Sequence, residues 1–299
     1  MLDRASTFAD PEIVTMLQTD FVPVAIDQAY QRRQKDAEGE FYRLIASQHP
    51  GNDFVSRSSQ GFYIATADGT LLVYNNNRNP ERLRGLMREA LVAAAQQEPG
   101  EAEPIQPGEP DERFNPDPPE GGLVVRVRAR VLDGYEPTDD PVQQMFQEAL
   151  SRDNLWATAE EHEALVRGEF PESLATRIAR FHLVDNTRGE PAMWHLTHIQ
   201  SLSLTLENGE VRGRVHLVND EGDRTYEAEL LGRVTVEDGR VVGFEMAALG
   251  THTGRGRYTP GAPEGPFTLA VAFTLADGTD MADAIPPQGS RGWVRGYIR

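Results

Sequence analysis

Cysteine is absent from all 299 residues, and that single absence removes disulfide bonds, thiolate nucleophiles, iron–sulfur clusters and cysteine-ligated zinc together. It does not locate the chain, because a thiol-free protein is stable in any redox compartment. Lysine is almost absent as well: Lys35 stands alone and every other basic side chain is arginine. That bias fits genome composition first, and phosphate or carboxylate recognition by guanidinium groups second. Positive charge is short overall, with 29 basic against 47 acidic residues and a net charge of -18. Nucleic acid and anionic membrane both need a basic surface, so neither is expected as a partner. No apolar run approaches the about 20 residues that cross a bilayer, and the N-terminus has neither the basic nor the apolar region of a signal peptide. A cytoplasmic address is the default expectation, with an extracytoplasmic one open should the N-terminus be truncated.

Several catalytic signatures are missing too. There is no Gly-x-Ser-x-Gly elbow and no Walker or Rossmann glycine pattern. Glu160-Glu161-His162-Glu163 lacks the spacing of a zinc protease.

What is present is the material of two domains. A chain of 299 residues with 39% hydrophobic and 25% charged content is long enough to bury two cores. The prolines and acids of 98–122 (Pro99, Pro104, Pro107, Pro110, Pro116, Pro118 and Pro119, with Glu98, Glu101, Glu103, Glu109 and Asp111) read as a semi-rigid linker. The expected organisation is 1–97, then this linker, then a β-rich domain over 123–299 carrying a helical insert over 141–182. The fold class is α+β overall.

In the first domain, Asp10-Pro11-Glu12 opens a helix to about Gln18, and Phe21–Asp27 reads as a buried strand. A helix over about Asp36–Ser47, a hairpin of Phe62–Thr66 with Leu71–Tyr74, and a helix from Pro80 follow. In the second domain, Leu123–Val131 alternates apolar residues with arginines, as a half-buried strand does. Helical patches are expected at Pro141–Leu150, Ala159–Gly168 and Pro171–Phe181. Asn208-Gly209 signals a two-residue turn that pairs Glu207 with Glu210 and gathers Leu202, Leu204, Leu206, Val211, Val215 and Leu217 on one face. A second hairpin is expected around a three-residue loop, Asp238-Gly239-Arg240, because that length aligns Tyr226, Ala228, Leu230, Val234 and Val236 with Val242, Phe244, Met246 and Ala248. Phe267–Leu275 and Trp293–Ile298 complete a sheet of about seven strands, a sandwich or partly closed barrel.

The segments Thr7–Val14, Leu17 and Phe21-Val22-Pro23-Val24-Ala25-Ile26-Asp27, with Gln60-Gly61-Phe62-Tyr63-Ile64-Ala65-Thr66-Ala67-Asp68-Gly69, resemble thioredoxin-like families of the spermatogenesis-associated type. The resemblance covers about the first third of the chain. It implies an α/β thioredoxin-like domain that lacks its first strand and the Cys-x-x-Cys which follows it. Gln60 stands where the family has the proline that abuts the redox pair. Thiol–disulfide exchange needs a thiolate, so the implied domain is redox-inactive. The vacant strand position invites strand exchange, and a truncated oxidoreductase with its cysteine pair upstream is the alternative.

Three constellations in the second half are candidates for chemistry. His195-x-x-His198 with His252 offers ligands for a divalent transition metal, with Glu190 as general base of a hydrolase or oxygenase; the competing reading is histidines scattered over surface and rim. Asp185–His195 is dense in recognition groups, above all Asp185, Arg188 and Trp194, yet Asp, Asn, Gly and Pro also simply form turns. Arg255, Arg257 and Arg291 lie beside glycines and with Arg188 form an anion-binding ring, or pair with surface acids. The expectation is a binding protein that uses the end of the second domain near Asp185–His198, His252–Tyr258 and Arg291–Trp293 for a small-molecule or protein ligand.

Overall fold

The computed structural model describes residues 7–50, 60–97, 100, 105–106, 108–109 and 111–299. The linker residues Glu98, Pro99, Glu101, Glu103, Pro104, Pro107 and Pro110 lie outside that set. The described chain divides into two compact units, one ending at Pro116 and one running from Asp117 to Arg299.

The first unit is built on capped helices. Asp10 accepts hydrogen bonds from the Glu12 and Ile13 amides, both 3.0 Å, and Pro11 opens Pro11–Thr19. Asn79 and Pro80 start Pro80–Gln96 in the same way, the Asn79 side chain taking the Arg82 amide at 2.9 Å. These short polar side chains satisfy amides that have no partner within the helix. Ile13 and Met16 of the first helix pack on Leu83 and Met87 of the last, and Phe62 and Ile64 join them. β1 (Phe62–Ala65) and β2 (Leu71–Asn75) form an antiparallel hairpin. Its other face meets Ala37–Ser47 through an edge-on contact of Tyr63 with Tyr42.

One expectation fails here. Phe21–Asp27 forms no regular element and is not a buried strand: Val22 is 90% and Val24 74% exposed, and no strand of the described residues pairs with it. An apolar alternation is buried only when a neighbouring strand takes up its amides and carbonyls, and none of the described strands does so here. The end of the proline-rich stretch belongs to this unit. The Gly108 amide donates to the Lys35 carbonyl at 2.6 Å, the Gln34 amide group to the Phe114 carbonyl at 2.9 Å, and Arg33 lies 5.5 Å from the Phe114 ring.

The second unit is a curled, antiparallel, seven-stranded sheet, a half-barrel. Its order is β4-β3-β9-β8-β7-β6-β5, with β3 Leu123–Val131, β4 Asp153–Ala157, β5 Ile199–Glu207, β6 Glu210–Val218, β7 Thr225–Glu237, β8 Arg240–Thr253 and β9 Phe267–Leu275. Leu123, Val125, Val127, Ala129 and Val131 are all buried, as their period of two requires. The core face is filled by Leu174, Ile178, Ala179 and Phe181 of a helix that passes into a π turn, together with Trp194 and Tyr297.

The Asn208-Gly209 turn is as expected, with Glu207 opposite Glu210 and both turn residues at positive φ (53° and 79°). The second hairpin differs. Glu237 pairs with Arg240 across a two-residue Asp238-Gly239 turn, and a register shift between Thr235 and Val236 restores the alternation. That bulge brings Val241, not Val242, into the core, and leaves Val236 40% and Val242 49% exposed. Trp293–Ile298 is likewise not a strand: Val294–Ile298 is helical. The seventh strand is β4, which lies within the expected helical insert and is buried along its whole length.

Candidate functional site

Strand ends and connections set the site. The loops 132–140, 185–198, 219–224 and 254–266 all leave the same end of the half-barrel. Their residues are tied together from below. Arg188, 2% exposed, is ion-paired with Asp185, donates from Nη1 to the Tyr135 hydroxyl at 2.6 Å and to Thr187 Oγ1 at 3.0 Å, and donates from Nε to the Pro260 carbonyl at 3.1 Å. Asp185 Oδ1 also accepts from the Thr187 amide and hydroxyl, at 3.2 and 2.7 Å. Gly189 has no Cβ because the Tyr258 carbonyl fills that place: a Cβ would sit 2.0 Å from its oxygen. This cluster clamps three loops to one another.

Trp194 forms the second tie. It is 1% exposed, donates Nε1–H to the Leu183 carbonyl at 2.8 Å, and carries the Arg224 guanidinium 3.9 Å above its ring. Arg224 also donates to the carbonyls of Ala192 and Met193. Burial lowers its pKa from the ordinary arginine value. His252 is 2% exposed among Tyr226, Phe267 and Trp194, with ring centroids 5.8, 5.0 and 6.3 Å away. Burial pushes its imidazole down to about 4; the Arg224 and Arg188 cations act in the same direction and Asp185 opposes them. Its Nδ1 has no hydrogen-bond partner.

The three histidines of the metal expectation are therefore arranged as two and one. The His195 and His198 rings lie tilted against each other with centroids 4.8 Å apart, and His198 Nδ1 accepts the His195 amide at 3.1 Å. His198 Nε2 lies 3.4 Å from the exposed Asp220 carboxylate. His198 and His252 each contact the Trp194 ring, with centroids 6.1 and 6.3 Å away. Glu190 is exposed and lies 3.9 Å from Arg291. Among the described residues, no group of three or more histidines, aspartates and glutamates gathers where it could hold a metal ion.

Above this brace is an exposed rim. Arg255 and Arg257 are exposed, Arg257 lies 5.3 Å from the Tyr258 ring, and Tyr258 itself is 57% exposed. Trp293 is 47% exposed. Gly189, against Tyr258, and Glu190, against Arg291, link the two parts of the rim. The expected site thus separates by burial: Asp185, Arg188, Trp194 and His252 form the frame, while Arg255, Arg257 and Arg291 belong to the surface.

No family model, curated protein or solved structure matches this chain. The geometry alone carries the functional reading.

Sequence reasoning missed a second polar cluster. Arg177, 2% exposed, pairs with Glu161 at 2.6 Å and donates to the carbonyls of Trp156 (3.1 Å), Tyr297 (2.8 Å) and Ile298. His182 Nε2 and the Tyr297 hydroxyl are 2.7 Å apart, and His182 Nδ1 is 3.3 Å from Asp153. Burial raises the Tyr297 pKa well above the ordinary phenol value, with the Asp153 charge adding to it. Hydroxyl, imidazole and carboxylate stand in the order of a proton relay, but all three are buried, and the cluster pins the C-terminal helix to β4. Sequence spacings of 115 and 120 residues between the partners leave no local signal.

Proposed function

We propose that this chain is a redox-inactive, thioredoxin-like binding protein whose β-rich unit recognises an acidic protein partner at the loop-end rim. The reading rests on one observation: Tyr258, with Arg257 over its ring, and Trp293, with Arg299 over its ring, expose large aromatic faces, and the Tyr258 loop is held by the buried Asp185–Arg188 pair. Tyr, Trp and Arg are the residues that carry most binding energy in protein interfaces, and a rigid frame avoids the ordering cost of association. In a chain of net charge -18, a local arginine cluster departs from the charge of the rest of the surface and favours acidic partners. The absence of cysteine supports the redox-inactive part, since the fold family it resembles exchanges electrons through sulfur. Strand exchange, where it takes place, belongs to the vacant first-strand position of the thioredoxin-like unit.

The test is photo-crosslinking with a benzophenone amino acid placed at Tyr258 or Trp293, and at Val242 as an exposed control on the opposite end of the unit. Adducts at the first two positions that vanish in the Arg255→Glu/Arg257→Glu background are the expected result. Adducts that persist in that background, or equal yields from Val242, would overturn the reading.

A further inference from the structure

The sheet order ends at β5, and no strand of the described residues pairs with its outer edge. The Asn208-Gly209 turn determines which backbone groups face that edge. In a two-residue hairpin the flanking pair Glu207–Glu210 exchanges both hydrogen bonds, and bonded pairs then recur at every second residue. Thr205–Arg212 and Ser203–Arg214 are bonded pairs on this count, so the amides and carbonyls of Leu202, Leu204 and Leu206 point away from β6. A register shift between Ile199 and Ser201 ends the regular strand at Ser201.

The regular edge is therefore Ser201-Leu202-Ser203-Leu204-Thr205-Leu206-Glu207. Its only charge is the terminal Glu207, and it contains no proline, glycine or lysine, although acids make up 47 of the 299 residues of the chain. Natural edge strands are protected by charged side chains and proline; Ser201–Leu206 contains neither. The segment is also complementary to itself. A two-fold axis at Leu204 sets Leu204 against Leu204 of a second copy, Leu202 against Leu206, Ser203 against Thr205 and Ser201 against Glu207. Leucines then meet leucines on the core side, where Leu202 and Leu204 are still half-exposed, and hydroxyls meet hydroxyls on the solvent side, where Ser203 and Thr205 are exposed. All the free groups of Leu202, Leu204 and Leu206 find partners, and no like charges face each other.

We infer that β5 is a homodimerisation edge: two copies pair antiparallel through Ser201–Glu207 about a two-fold at Leu204, joining two half-barrels into one continuous sheet. The interface is separate from the rim of the proposed binding function, so failure of either leaves the other standing.

The experiment is sedimentation equilibrium of the full chain over a range of concentrations, for three proteins. Wild type is expected to associate to a dimer. In Ser203→Glu/Thr205→Glu, each new carboxylate lies opposite Arg214 or Arg212 within its own copy, which favours the folded monomer, but faces a like charge across the two-fold. Two repulsive cross-strand pairs should weaken the dimer about tenfold or more. In Ser203→Glu/Thr205→Lys the same two positions become opposite charges across the axis, and association should return to the wild-type level or tighter. A monomeric wild type at every concentration overturns the inference. So does a dimer indifferent to the first variant, or one not restored by the second.

Discussion

Replacing Arg177 with methionine tests how the half-barrel holds its C-terminus. The guanidinium is 1% exposed as a side chain and its partner Glu161 5%, so neither charge has water to fall back on. Methionine keeps the aliphatic stem but deletes the bonds to Glu161, Trp156, Tyr297 and Ile298. Glu161 would retain only the Thr158 amide at 2.9 Å and the Ser173 hydroxyl at 2.5 Å. Removing one partner of a buried ion pair costs about 3–5 kcal/mol, because the other charge stays desolvated. For a unit of this size each kcal/mol lowers the melting temperature by about 2–4 °C, giving a shift of about 6–20 °C. The assay is tryptophan fluorescence during thermal or urea unfolding. Trp156, Trp194 and Trp293 are the only tryptophans and all lie after Asp117, so the signal reports the second unit alone. Glu161→Gln in the Arg177→Met background should recover part of the loss, since a neutral amide tolerates burial better than an unpaired carboxylate. A loss below about 1 kcal/mol, or additive effects of the two substitutions, would falsify the account.

Other outcomes follow from the same geometry. His252 stays neutral in the folded state down to about pH 4 but protonates at the ordinary imidazole value of 6.5 when unfolded. Its contribution is intact at pH 7 and falls as pH drops from about 6.5 towards about 4, by about 3 kcal/mol in all; urea titrations at pH 7 and pH 5 should show a smaller pH effect in His252→Phe than in wild type. Gly189→Ala drives a Cβ into the Tyr258 carbonyl, so hydrogen exchange of the 254–258 amides should quicken while the strand amides are unchanged. Metal analysis of protein purified without chelator should find less than one transition-metal ion per chain, because His198 already spends Nδ1 on the His195 amide. Stoichiometric metal lost in His198→Ala would revive the enzyme reading. An insulin-reduction assay should register no turnover, as no thiol exists to begin exchange.

How much of this was legible in the sequence depends on how local each determinant is. The β5–β6 hairpin was readable to the residue because Asn208-Gly209 and the alternating leucines agree. The β7–β8 turn was misjudged by one residue because a bulge at Thr235–Val236 corrects the alternation several residues from the turn itself. β4 was missed since Asp153–Ala157 is buried on both faces and shows no alternation. Trp293–Ile298 reads as a strand by composition, yet helix wins because Tyr297 is drawn inward to His182 and Arg177 from distant positions. In the candidate site the density of polar groups was visible, but not its division into frame and rim. That division is made by Tyr135 and Arg224, which reach Arg188 and Trp194 across 53 and about 30 residues.

The arginines make the physical point. β4 and β5 do not pair, so the sheet leaves one face to be filled by helices and loops whose ends bring unpaired carbonyls inside. Arg177, Arg188 and Arg224 each supply those carbonyls with a fixed fork of donors, from Trp156, Tyr297 and Ile298 to Pro260 and to Ala192 and Met193. An arginine whose donors are spent in this way cannot bind a ligand without opening the loop it holds, and its removal should register in stability before it registers in binding. Arg255 and Arg257 are exposed, so their removal should do the reverse. Measuring both quantities for Arg188→Met and for Arg257→Ala separates the two classes, and equal stability losses in the pair would show that burial is the wrong criterion for dividing frame from rim.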